Sequence, residues 1–295
     1  MEGTKTLTNR LEAVQLRAAK MILGCATHTA NVAVLNELGL ETLSDRRAIH
    51  KMRWLQKLHD MVQDRLPRQW YEQHQSGQTS HWYKSMAAAW AKAGGPTPVT
   101  HLWEQQGQNA IHAHAKAAVA EAAQQRAGHE RQCRTTLCYY EDGNAAGNIG
   151  GRRQIQRYLG GRLPTTAIQL KLKCRTGTLP TDAFCVRRSM HGVQSPSCKL
   201  CHHECEDLPH ILLQCPEYAD MRSDFYGQLS ACFATEQEFL AFKALPNEPH
   251  ISALLSDDYW SQIGQFEVAN AAVLQYLLRV WQHRMSRLEV ASAES

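Results

Sequence analysis

The sequence predicts a mainly α-helical protein: an N-terminal helical bundle, then a small zinc-stabilised module and a long C-terminal amphipathic helix. Three observations carry this expectation. Apolar residues recur at helical spacing through residues 9–65, in runs closed by Gly24 and Gly39. A second helical stripe runs through Ile263, Phe266, Val273, Leu277, Trp281 and Met285 near the C-terminus. Between the two, Cys198, Cys201, Cys205 and Cys215 crowd together with His191, His202, His203 and His210.

Residues 1–65 are read as one helical domain. Its first helix, Leu11 to Leu23, places Leu11, Val14, Ala18, Met21 and Ile22 on one face and stops at Gly24. Asn31 caps a short second helix ending before Gly39. Ser44 opens a third, whose stripe is Ile49, Met52, Leu55, Leu58 and Val62. Residues 66–150 form a connector, with one or two short helices around scattered tryptophans and a break at Gly94-Gly95-Pro96-Thr97-Pro98. An alanine-rich helix follows over 108–125, because alanine has the best helix propensity. His112, His114 and His129 make no complete ligand set there and read as surface residues.

Glu141-Asp142-Gly143-Asn144 reads as a solvated turn. Metal-dependent phosphoryl transfer needs carboxylates that hold two cations roughly 4 Å apart, and no partnering strand here carries another aspartate. Residues 151–295 form the last domain. Two short helices, 152–159 and 165–174, or one helix broken at Gly160-Gly161, precede a loop from Arg175 to Thr181 that delivers the chain to the cysteines. Helices over 219–232 and 236–245 lead to a break at Pro246-Asn247-Glu248-Pro249, and one long helix spans 257–288.

The cysteine-rich stretch has the spacing Cys-x2-Cys-x8-His-x4-Cys, formed by Cys198, Cys201, His210 and Cys215. Two thiolates of one tight turn can share an ion, and three thiolates with an imidazole favour one Zn²⁺. Four protein ligands leave no position for water, so the site reads as structural. Cys205 or His203 can replace one of the four. Pro209 suits the first turn of a helix that would project His210 and Cys215, with Leu212 and Leu213 packing a miniature core.

Hydrophobic content of 43% and charged content of 20% over 295 residues suit a globular chain with room for about two domains. No apolar run is long enough to cross a membrane, and the first residues lack a secretory apolar core. The expectation is an intracellular protein, nuclear or cytoplasmic and not secreted, whose cysteines are metal ligands and core residues. The net charge of +4 is unevenly spread. Arg152, Arg153, Arg157, Arg162, Lys171, Lys173, Arg175, Arg187, Arg188 and Lys199 precede or enter the zinc motif, and Asp182 is the only acid among them. Such a strip suits a phosphate backbone, while the plainer reading is a set of solvated helix faces.

Two blocks resemble a known family. The first is Leu-Glu-Ala-Val-Gln, Ala-Ala-Lys-Met-Ile-Leu-Gly, Leu-Asn-Glu-Leu-Gly-Leu and Leu-Ser-Asp-Arg-Arg, within residues 11–61. It is similar to the helical region downstream of the polymerase in non-LTR retrotransposon (LINE-type) reverse transcriptases. The second is Leu-Lys-Cys-Arg-Thr-Gly-Thr-Leu-Pro, Ser-Pro-Ser-Cys-Lys-Leu-Cys and Glu-Asp-Leu-Pro-His-Ile-Leu-Leu-Gln-Cys-Pro-Glu-Tyr, within 170–222. It resembles the C-terminal Cys-Cys-His-Cys zinc-binding segment of those proteins, position by position at Cys198, Cys201, His210 and Cys215. The middle, 66–150, matches poorly.

The resemblance implies a mobile-element origin and nucleic-acid binding in support of target-primed reverse transcription. Its catalytic parts do not carry over: no fingers or palm sequence, paired-aspartate box, endonuclease or ribonuclease H signature is visible. The chain is therefore expected to be the non-catalytic tail of a larger polyprotein, holding template RNA or target DNA. Arg152, Arg153, Arg157, Lys171, Lys173, Arg175, Arg187, Arg188 and Lys199 are the expected phosphate contacts. The alternative is a zinc-stapled protein-interaction module that docks, or self-associates, through its C-terminal helix.

Overall fold

A computed structural model describes residues 5–77, 84, 85, 87, 88, 91, 110–140, 154–160, 165–190 and 192–293. Within these residues the chain is mainly helical, with a long C-terminal helix and no strand. The helices are α1 (Lys5–Leu23), α2 (Asn31–Glu37), α3 (Leu43–Asp60), α4 (Leu66–Gly77), α5 (Ala110–Cys133), α6 (Thr165–Arg175), α7 (Asp182–Arg187), α8 (Ala219–Ser230), α9 (Glu236–Lys243), α10 (Asn247–Leu255), α11 (Asp257–Gln262) and α12 (Phe266–Ala293). The break at Gly94–Pro98, the Glu141–Asn144 turn, Arg152 and Arg153 lie outside the described residues.

The chain divides into two compact units, and their boundaries are not those expected at 65 and 150. One holds Met1–Leu16, Gly39–Glu130 and Gly147–Gln154; the other holds Arg17–Leu38, Arg131–Ala146 and Ile155–Ser295. In the first unit, α3 presents Met52, Leu55 and Leu58 inward, as its stripe predicts, with Ala48 buried beside them and Ile49 half-buried, and packs on α4. Val62 is exposed because α3 has already ended at Asp60. Its cap is Thr42, whose hydroxyl accepts from the Asp45 N–H, not Ser44. The apolar face predicted for α1 is turned out, with Leu11, Val14, Met21 and Ile22 all exposed. The packed side of α1 is a mixed one, with Ala19 and Leu23 buried: Thr8 accepts from Arg47, Glu12 from the Ser44 N–H at 2.8 Å, and Gln15 donates to the Glu41 carbonyl at 2.9 Å.

The second unit is built around α12. Phe266, Ala269, Val273, Tyr276, Leu277 and Val280 are buried, with α6 and α8 packed against the helix. Phe225 stacks on Tyr276 at 4.3 Å. Trp260, fully buried among Phe233, Phe242 and Tyr259, satisfies its indole N–H on the Leu254 carbonyl at 3.1 Å. The one long helix expected over 257–288 is two helices, separated where Gly264 takes a left-handed φ of 72°. Residues 247–255, expected to begin as a break, are helical with Pro249 in the first turn, where a missing N–H costs nothing. After α6 the chain turns through Gly177, where a side chain would put Cβ only 2.1 Å from the Thr136 carbonyl oxygen.

Two ion pairs lie wholly inside this unit. Arg175 Nε meets Glu37 Oε1 at 2.8 Å, and Lys171 Nζ meets Asp257 Oδ1 at 2.7 Å. Further hydrogen bonds surround both pairs. Tyr158 donates its hydroxyl to Glu37 at 2.7 Å and its N–H to Asp257 at 3.0 Å. Arg175 also donates to the Leu255 carbonyl, and Lys171 to Asn270. Burial opposes the charge of both cations. At Arg175 burial is the largest single influence, but Glu37, Tyr158, Tyr140 and Asp257 together outweigh it and the pKa is raised; at Lys171 burial prevails over Asp257 and the pKa is lowered. This network overturns two expected phosphate contacts, since Lys171 and Arg175 are at most 1% exposed. It also moves α2 out of the N-terminal domain, because Glu37 at its end is the counter-ion for Arg175.

Replacing one partner leaves a buried, uncompensated charge. Glu37→Ala is expected to lower the unfolding free energy by about 3–5 kcal/mol in a urea titration; a loss below about 1 kcal/mol, the size of an exposed pair, would contradict the network's role. His250 offers a pH test. Its burial, aided by the charge of Lys243, lowers its pKa to about 4. A depressed folded-state value favours the neutral ring, so its contribution is complete above the ordinary histidine range near 6.5 and is lost as pH falls towards 4. The stability gap between wild type and His250→Gln should therefore narrow over that interval, and parallel profiles would refute the assignment.

Candidate metal centre

The first pair of candidate ligands comes from a tight reversal. The Cys198 N–H donates to the His203 carbonyl and the His202 N–H to the Cys198 carbonyl, both at 2.9 Å. His202 reverses the chain with φ 62°, a left-handed conformation in which histidine is enriched among non-glycine residues. The second pair comes from an unusual turn. Asp207 caps its start, accepting from the His210 N–H at 2.9 Å, and residues His210–Gln214 form a π turn rather than the α-helical turn predicted. The Cys215 N–H closes it on the His210 carbonyl at 2.7 Å. In an α-helix, residues five apart point roughly 140° away from each other. The wider π turn brings His210 and Cys215 onto one side. Ile211 and Leu212 are buried beneath it, and Tyr276 donates to the Leu212 carbonyl at 2.6 Å.

One donor atom from each of Cys198, Cys201, His210 and Cys215 lies within 4.8 Å of all the others. Cys201 Sγ is 3.7 Å from Cys215 Sγ and 3.3 Å from His210 Nε2. The first distance is far beyond the S–S bond of about 2.0 Å. It is close to the edge of about 3.8 Å that metal–sulfur bonds of about 2.3 Å give a tetrahedron. The donor set therefore fits a metal ion. Cys198, His210 and Cys215 are buried and Cys201 is half-buried, which closes the site to solvent on most sides. Burial raises the Cys198 thiol, pushes Cys215 up to about 12 and lowers the His210 imidazole. A buried thiolate needs a cation beside it, whereas a neutral imidazole is ready to coordinate. Cys205 and His203 stand beside the cluster and outside it: His203 stacks on His210 at 4.5 Å, with its Nδ1 turned to the Cys205 backbone.

The loop between Cys201 and His210 is clamped by Glu206, a residue with no signal in the metal motif. Arg284 of α12 grips it with two nitrogens, Nε to Oε1 at 3.0 Å and Nη2 to Oε2 at 2.6 Å. Arg284 Nη2 also reaches Asp182 at 3.1 Å, and the Asp182 N–H donates to Glu206 at 2.8 Å. The one acid in the basic segment is thus the partner of a buried arginine about a hundred residues later. Asp182 opens α7, a helix not expected from the sequence, directly after the loop that ends at Thr181; Thr181 caps it by accepting from the Phe184 N–H.

The basic strip is divided by the fold. Lys171 and Arg175 are interior, as described. Arg187 and Arg188 are exposed at the end of α7, and Lys199 is exposed between the first two cysteines, 3.6 Å from Asp182. Lys173 is half-buried. Arg157 is exposed but lies 4.3 Å over the Phe266 ring and donates to Ser261.

If Glu206 holds the metal loop in shape, Glu206→Gln should weaken Zn²⁺ affinity about tenfold in competition with a chromophoric chelator, the low end for residues that orient ligands. An unchanged affinity would show that the loop keeps its form without the clamp. No protein-family model, curated protein or solved structure matches this chain, so the centre stands on its donor atoms alone.

Proposed function

We propose that the chain is a non-catalytic, nucleic-acid-binding module whose fold around residues 198–215 is held by one structural Zn²⁺. The carrying observation is the convergence of three cysteine sulfurs and a histidine nitrogen within 4.8 Å. Zinc is the ion of choice because three thiolates and an imidazole are a soft set that suits tetrahedral Zn²⁺. Cys198, Cys201, His210 and Cys215 would hold it. What the ion supplies is fixed geometry, with no ligand position left for a reacting water.

The nucleic-acid half of the reading rests on Arg187, Arg188 and Lys199, exposed cations carried on the elements that the metal and the Glu206 clamp position. Lys173, Arg157, Arg152 and Arg153 extend the set. Such contacts bind phosphates and position a strand without reading its sequence. The resemblance of residues 11–61 and 170–222 to non-LTR retrotransposon reverse transcriptases supports this reading, in which the segment holds template RNA or target DNA. Docking of a protein partner through the α12 stripe is the weaker reading. Phe266, Val273 and Leu277 are already buried against the chain's own core and would have to be unpacked.

Purified protein should carry one zinc per chain by mass spectrometry of the metal, and Cys198→Ser with Cys215→Ser should lose it. Affinity for single-stranded and duplex oligonucleotides should fall steeply with salt, the logarithm dropping by about 0.7–0.9 per phosphate contacted for each tenfold rise. Replacing Arg187 and Arg188 together by glutamine should reduce that slope by about two contacts. A metal-free wild type would sink the first half, and a salt-independent affinity the second.

A further inference from the structure

A second concave site adjoins the metal centre and uses none of its ligands. It is an open cleft of about 590 Å³ bordered by the π turn and by α8, α9 and α10. Arg222 and Lys243 line it, and no aspartate or glutamate does. Arg222 is held in place by donating to the Cys215 carbonyl at 3.1 Å, so the metal module orients it. Lys243 Nζ lies 5.2 Å from the centre of the Tyr226 ring and 5.6 Å from that of Phe239. Tyr226 pairs its hydroxyl with Nε2 of the buried His250 at 3.1 Å, which fixes the ring.

Two cations without a carboxylate among the lining residues favour an anion. The volume is that of a small-molecule site and well beyond what a bare phosphate fills. A positively charged groove with an aromatic ring on its wall is the arrangement that takes single-stranded nucleic acid, phosphate to cation and base to ring. Ser223, Ser230 and Asn247 add neutral polar groups to the lining. We propose that this cleft takes one nucleotide of a single strand, with its phosphate at Arg222 and Lys243 and its base against Tyr226. The inference goes beyond the exposed cations around Cys198, since it names a built pocket on different elements.

The test is titration of the full-length, zinc-loaded, ¹⁵N-labelled protein with AMP, adenosine, inorganic phosphate and an Asp/Glu hexapeptide. AMP should shift the amides of Ser223, Tyr226 and Gly227, with adenosine and phosphate each at least about tenfold weaker. Lys243→Gln, a change at an exposed side chain, should weaken AMP about fivefold or more, and Tyr226→Leu about tenfold. Thermal melting of each variant confirms that it is folded. Absence of AMP shifts in the cleft overturns the proposal, as does an unaltered AMP affinity in folded Lys243→Gln. Equal binding of phosphate or of the hexapeptide overturns it too, by showing an anion site that ignores the base. A mononucleotide does not span the exposed cations near Cys198, so failure here is separable from failure of the salt-dependent oligonucleotide binding.

Discussion

The second unit depends on the buried carboxylate of Glu37. It takes the Arg175 guanidinium and the Tyr158 hydroxyl on its two oxygens, while its own carbonyl accepts the Gln156 N–H at 2.9 Å. Segments more than a hundred residues apart in sequence are thereby fixed to one another. Asp257 repeats the arrangement at the next position, joining Lys171 of α6 to the Tyr158 backbone. Buried pairs of this kind add little net stability over a well-packed apolar core, because desolvation cancels most of the attraction. What they supply is selectivity of arrangement. An apolar α2 can pack on many faces, whereas Glu37 is tolerated inside only where Arg175 and Tyr158 meet it. The hydrophobic burial along α12 drives collapse, and the charges decide which collapsed arrangement is satisfied.

The metal centre follows the same division of labour. A structural zinc contributes on the order of 10–16 kcal/mol of apparent binding energy at neutral pH, far more than any single hydrogen bond around it. Such energy would order the four donors but would not place the loop of residues 198–215 on the body of the unit. Placement comes from Glu206, whose carboxylate joins Arg284 of α12 and the N-terminus of α7. Arg222 adds a third tie through the Cys215 carbonyl. A bound ion would close the loop, and the arginines dock it.

The sequence made the helical class, the α3 stripe and the four donors legible, because each depends on local spacing. Cys198, Cys201, His210 and Cys215 were identifiable from separation alone, and the structure brings the same four together. The helical face of α1 was misread because Leu11, Val14 and Met21 keep core-like spacing, although the side that packs carries Ala19 and Leu23 together with the hydrogen-bonded Thr8, Glu12 and Gln15. The π turn was hidden for a related reason. Nothing in His-Ile-Leu-Leu-Gln distinguishes a π from an α turn until the ligands at its ends must face the same way.

Charge was the least legible property. Lys171 and Arg175 look in sequence like their neighbours Lys173, Arg187 and Arg188, and only distant acids tell them apart. Asp182, the one acid among ten basic residues, gives no clue to this, since its buried partner is Arg284, outside the strip. Among the described residues, removing the interior cations leaves Arg187, Arg188 and Lys199 exposed around α7 and the first cysteine pair, with Arg157 exposed apart from them. Arg222 and Lys243 lie beyond the basic segment, among the acids of residues 204–224 and after, yet line a cleft without a carboxylate. A positive surface in this fold is therefore a matter of which acids are consumed by buried partners, and the linear charge pattern does not record that.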